Sequence, residues 1–168
     1  MAEKGSAKAS PIGPLAIVAV AVVGMVLVGT RTVDLHVLAG GWFTHHWLAW
    51  AGALFIAIYT VAFYVLKSRK RDSYDTLLRV HVYGGLLSAT LIALHFAHHV
   101  TRPAEFYPDL GTGIVLFAAL VISVFAGFLM RFRWLRGGMR EWRLFHTGAA
   151  GAFYLVIVVH TLQGLGVL

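Results

Sequence analysis

Two pairs of histidines are the residues of this sequence best placed to do chemistry. One apolar segment reads RVHVYGGLLSATLIALHFAHHV and holds His81 and His95; a later one reads RLFHTGAAGAFYLVIVVHTLQGLG and holds His146 and His160. Both pairs have the same 14-residue spacing. On an α-helix that spacing comes to within about 40° of whole turns and rises roughly 21 Å, so both rings leave one face near opposite ends of a membrane-length helix. Neutral imidazole is an iron ligand, and two on one iron close both axial positions, which suits electron transfer better than oxygen binding. The four histidines are therefore read as axial ligands of two b-type haems. His81 and His146 form the inner pair, His95 and His160 the outer one. A lone histidine in a span has a plainer use as a hydrogen-bonding group between helices. Four at matched depth on two parallel helices point to function, because polar groups within a bilayer are expensive.

The neighbours of these residues fit the same reading. Gly84, Gly85 and Ala89 follow His81, and Gly148, Ala149, Ala150 and Gly151 follow His146; small residues let a porphyrin, or another helix, approach closely. Arg79 and Arg143 stand just before the inner histidines, where a guanidinium can meet haem propionates. A second group, His45, His46, His98 and His99 with His36 in the adjoining loop, collects at the outer ends of two spans. Its plainest use is as interfacial polar residues. The sharper ones are a quinol site beside the outer haem, a docking surface for an outer electron carrier, or a third metal or haem site. His98 and His99 compete with His95 as the partner of His81 on that helix; the repeated spacing in the later segment selects His95.

Composition dictates the elements that must position these groups. Of 168 residues 59% are hydrophobic and 12% charged, with mean hydropathy +0.78, about half the charge content of soluble domains. No polar block exceeds a short loop, so residues 1–168 are expected to form a single membrane domain. A bilayer core about 30 Å thick needs roughly 20 apolar residues per helix. Five segments qualify: Ile12–Thr30, His46–Leu66, Leu77–Val100, Leu110–Met130 and Leu144–Gly164. The expected fold is an all-α integral membrane protein, a haem-binding bundle of about five transmembrane helices.

Charge sets the expected orientation. Lys67, Arg69, Lys70, Arg71 and Arg79 flank one loop and Arg131, Arg133, Arg136, Arg140 and Arg143 another, while the remaining two loops carry only Arg31 and Arg102. The positive-inside rule then puts the N-terminus, with Lys4 and Lys8, in the cytoplasm and the C-terminus outside. Trp42, Trp47, Tyr107, Trp134 and Trp142 fit interfacial belts. The same rule accounts for the net charge of +7 and leaves no call for nucleic acid. The absence of cysteine excludes cysteine-held iron–sulfur clusters, disulfides and covalently attached haem. The first thirty residues have the charge pattern of a signal peptide without a convincing cleavage site, and are expected to remain as a signal anchor.

The histidine arrangement resembles that of di-haem b-type cytochromes, in which two parallel helices each present two histidines about fourteen apart. It is most similar to the transmembrane domain of the ferric reductase-like family, whose ligands lie on the third and fifth helices, as His81, His95, His146 and His160 do here. The cytochrome b of quinol-oxidising complexes resembles it in spacing and in glycines near the ligands. The resemblance covers the last three spans, about half the chain. It implies two haem b groups and transmembrane electron transfer in a larger redox complex of a prokaryotic cytoplasmic membrane. Exchange with a quinone pool and a multihaem cytochrome, iron–sulfur or flavoprotein partner would follow. The flavin and nicotinamide domain of ferric reductases has no counterpart in these 168 residues, so a separate flavoprotein feeding a ferric reductase-like unit is one alternative. A non-redox metal transporter or membrane anchor is another, disfavoured because Asp34, Asp72, Asp75, Glu105, Asp109 and Glu141 all fall in loops or at span ends.

Overall fold

The computed structural model describes residues 10–69, 73–102, 110–132, 134 and 138–168. Five helices make up the bundle: α1 (Ile12–Gly29), α2 (Thr44–Arg69), α3 (Tyr74–Val100), α4 (Leu110–Phe132) and α5 (Met139–Gly164). All five are long and apolar enough to cross a bilayer. Their outward faces carry large apolar side chains, among them Leu155 at 75% exposure and Val20 at 67%, which is the inverse of a water-soluble surface and the expected face toward lipid.

Four helices run past the apolar segments at their charged ends, α4 by two residues to Phe132. α2 continues to Arg69, α3 begins at Tyr74 and α5 at Met139. Hydropathy stops where charge begins, but helix formation does not. Lys67 and Arg69 sit in the last turn of α2, and Asp75 and Glu141 in the first turns of α3 and α5, the placements the helix dipole favours. Lys4, Lys8, Lys70, Arg71, Asp72, Glu105, Tyr107, Asp109, Arg133 and Arg136 lie outside the described residues.

Between α1 and α2 the chain forms a short hairpin, β1 (Leu38–Ala39) paired antiparallel with β2 (Trp42–Phe43). Its turn is Gly40-Gly41 with φ of 59° and 85°, a conformation glycine adopts without strain and a two-residue hairpin demands. The Trp47 indole N–H donates to the Ala39 carbonyl at 2.8 Å and holds the hairpin on the start of α2.

Glycines set the helix contacts. A Cβ on Gly52 of α2 would lie 2.9 Å from the Ser88 carbonyl oxygen of α3, so only glycine permits that approach. Gly13 and Gly24 of α1 lie against the side-chain ends of Tyr83 and Leu94 of α3, and their order along both helices makes α1 and α3 parallel. α3 thus packs on α1, α2 and α4, and α4 pairs with α5, whereas α3 and α5 have little backbone contact. The buried centre, formed by Ile92, Leu116, Leu120 and Phe153, lies midway along the bundle. Phe153 is 3% exposed and seven residues from both His146 and His160, so it shares their face of α5.

Candidate functional site

α3 and α5 place their histidines at two levels. At the end where Lys67, Arg69, Arg131 and Arg140 gather, here the basic end, the rings of His81 and His146 face one another with centroids 6.2 Å apart and planes at 89°. A metal–imidazole bond is about 2 Å and a ring nitrogen lies a little over 1 Å from its centroid. Two imidazoles opposite each other on one metal therefore stand roughly 6 Å apart. The His81 ring is stacked on Phe63 of α2 at 4.6 Å and 14°. His146 Nδ1–H donates to the Ser123 carbonyl of α4 at 2.8 Å, which leaves the Nε2 lone pair available as a ligand atom. A histidine that binds a metal is ordinarily fixed this way by its other nitrogen.

The opposite end is rich in histidine. His95 and His160 line one cavity of about 600 Å³ together with His46, His99, Arg102, Phe117 and Leu116, within the size range of cofactor sites. Both ligand candidates are again anchored through Nδ1. His95 donates to the His45 backbone carbonyl at 3.0 Å. Thr112 gives its hydroxyl proton to Gln163 Oε1 at 2.7 Å, so its oxygen accepts from His160 Nδ1–H at 3.1 Å. Three of the four histidines therefore present an Nε2 lone pair, selected by hydrogen bonds from α2 and α4.

Helix α4 also makes room for the rings. Gly113 and Gly127 bring the positions of their absent side chains to 3.4 Å from Cε1 of His160 and His146, respectively. Their spacing repeats that of the histidines, a signal present in the sequence and legible only once α4 is known to lie against α5. Thr112, Ser123 and Gln163 complete a supporting set that the spacing of histidines alone does not identify.

The other expected site residues fall as follows. Gly84 lies against the Phe55 ring of α2, so it serves helix packing, while Gly85, Gly148 and Gly151 have open space where a side chain would project. Arg79 and Arg143 are exposed at the basic end. Counted along α3, Arg79 lies about 200° round the helix from His81, and Arg143 is nearer the His146 side of α5. Trp42, Trp47 and Trp134 are each between 43% and 52% exposed, as residues of an interfacial belt are.

The second histidine group is drawn together, with His36 added. His45 and His98 are fully buried, at 0% and 1% exposure, and stack at 4.2 Å. His46 lies 4.2 Å and His99 5.0 Å from His45, centroid to centroid. His45 Nδ1–H donates to the Leu35 carbonyl at 3.2 Å, and His98 Nε2 accepts from the Arg102 guanidinium at 3.1 Å. Among the described residues the buried polar side-chain atoms without a partner are His45 Nε2, His99 Nε2 and Ser123 Oγ. Compared with known protein families, with curated proteins and with solved structures, the chain has no match.

Proposed function

We propose that this chain carries electrons across a membrane between two haem b groups, one held by His81 and His146 and the other by His95 and His160. The observation that carries the reading is the pairing of the four histidines at two levels of parallel helices, three of them with Nδ1 engaged and Nε2 presented. The residues suit the group: neutral imidazoles, an apolar cavity beside His95 and His160, glycines beside two of the rings, and helices α3 and α5 held apart at the backbone. Haem iron supplies one-electron chemistry by alternating between its ferric and ferrous states.

The protein's own part is positional. Ser123, Thr112 and the His45 carbonyl fix imidazole tautomers and raise ligand basicity. Phe153 and the apolar residues around it fill the space between the two levels and keep water out. The basic end belongs in the cytoplasm by the positive-inside rule, which puts the N-terminus inside, the C-terminus outside and the histidine-rich end on the outer face of a prokaryotic cytoplasmic membrane. The natural partners are a quinone pool and a redox subunit such as a multihaem cytochrome, iron–sulfur protein or flavoprotein. A ferric reductase-like role is the second reading, favoured by the cavity at the histidine-rich end with Arg102 in its wall.

A dithionite-reduced minus oxidised spectrum, with a pyridine haemochrome assay on the purified chain, tests both readings. Two b haems per chain are expected, and protein purified without haem from haem-replete cells sinks the proposal.

A further inference from the structure

Seven histidines crowd the histidine-rich end, and the electron-transfer reading uses two of them, His95 and His160. Five others, His36, His45, His46, His98 and His99, are left over. Two compact sets emerge, each with ligand atoms within 4.8 Å of one another: His36, His45 and His98, and His45, His46 and His99. Hydrogen bonding separates them. His98 Nε2 is occupied by the Arg102 guanidinium, so that nitrogen is already committed. In the other set, His45 Nε2 and His99 Nε2 are buried and have no partner.

A buried imidazole nitrogen without a partner has given up water and gained nothing in return, which is costly. Two in one cluster, beside a third histidine, call for something to bind. The His45 tautomer is already that of a ligand, because its Nδ1–H is held by the Leu35 carbonyl, the arrangement found behind metal-bound histidines. We propose that His45, His46 and His99 hold a single late first-row transition ion, copper by affinity, at the end of the bundle beside the outer histidine pair.

The chemistry of the donors selects the ion. Three neutral nitrogens with no carboxylate disfavour magnesium and calcium, which take oxygen, and copper heads the affinity order for imidazole sites. A tetrahedral ion with bonds of about 2 Å brings ligand nitrogens to roughly 3.3 Å apart, so the three need to close by at most about 1.5 Å, within the reach of ring rotation. The site also touches the outer histidine pair directly. His99 and His95 rings are 4.4 Å apart, and the His45 carbonyl is the acceptor for His95 Nδ1–H. Only this significance, and not the site itself, rests on the electron-transfer reading.

The test uses the full chain in detergent, purified without a polyhistidine tag, passed over a chelating resin and titrated with copper(II). One copper per chain should survive a second passage over the resin and show nitrogen hyperfine structure by electron paramagnetic resonance. His99→Phe and His45→Phe keep the ring and lose the nitrogen, and each should weaken copper binding at least about 100-fold. His36→Ala and His98→Ala should leave it within about threefold. Gel filtration and circular dichroism report folding, and His99→Phe decides if His45→Phe fails to fold. No retained copper, retention undiminished in His99→Phe, loss in both His36→Ala and His98→Ala, or preferential retention of zinc each overturns the proposal. Copper without haem would sink the electron-transfer reading and leave this site standing; haem without copper would do the reverse.

Discussion

Replacing Thr112 by valine removes one hydroxyl and leaves the shape of the side chain almost unchanged. It is the sharpest probe of the supporting hydrogen bonds, because His95 and His146 are held by backbone carbonyls that substitution cannot delete. In the wild type His160 Nδ1–H donates to Thr112 Oγ1 at 3.1 Å, and that oxygen donates to Gln163 at 2.7 Å. Losing the acceptor forfeits about 1 kcal/mol of net hydrogen bonding and leaves two half-buried groups to find partners. The Gln163 amide, three residues along α5 from His160, can take over part of the task. Loss of such a support costs about 10–100-fold in metal affinity, so Thr112→Val should fall near the lower figure, about 1.4 kcal/mol. Thr112→Val with Gln163→Leu should approach the upper one. Haem titration into the apoprotein, followed in the Soret band, measures this. The same change lowers ligand basicity, so the midpoint potential of the haem on His160 should rise, with the other haem, roughly 21 Å away along the helix, unmoved. Thr112→Ser should behave as wild type. Affinity within twofold of wild type in both the single and the double variant would refute the tautomer argument.

Further outcomes follow from the same contacts. Gly127→Ala places a methyl at ordinary contact distance, 3.4 Å from His146 Cε1, and should keep both haems, whereas Gly127→Leu should displace the ring and leave about one haem per chain by pyridine haemochrome. His95→Ala should remove one haem and spare the other, while His98→Ala should retain both; loss of a haem only in the latter would reassign the ligand. Since the chain has no cysteine, Lys67→Cys and His36→Cys report orientation in intact cells, and a membrane-impermeant maleimide should label only the second.

How much of this is visible in the chain depends on the range over which each feature is specified. The 14-residue spacing of His81 and His95, and of His146 and His160, is local to one helix and survives any arrangement of the others, so the two levels follow from the sequence. The five apolar segments are local in the same sense, and their ends shift most where Lys67, Arg69, Asp75 and Glu141 extend helices beyond the apolar stretch. The hairpin was within reach through Gly40-Gly41, whose adjacency is a turn signal. Thr112 and His160 are 48 residues apart in sequence, and nothing in either segment announces the other. His98 lies beside His45 and His99 in space, yet the Arg102 guanidinium engages one of its nitrogens, which spacing cannot reveal. Gly84 illustrates the converse: a small residue beside a histidine has several uses, and here the Phe55 ring of α2 takes the space.

The glycines of α4 tie this arrangement to a single alignment of two helices. Gly113 faces His160 and Gly127 faces His146, so histidines and glycines are written on separate helices running in opposite directions and must meet in step at both levels at once. A single residue inserted between Gly113 and Gly127, or between His146 and His160, would turn one end by about 100° relative to the other and could satisfy only one level. Change in length is therefore confined to the connecting segments, while the interiors of α4 and α5 can vary only by substitution, as matched halves of one template.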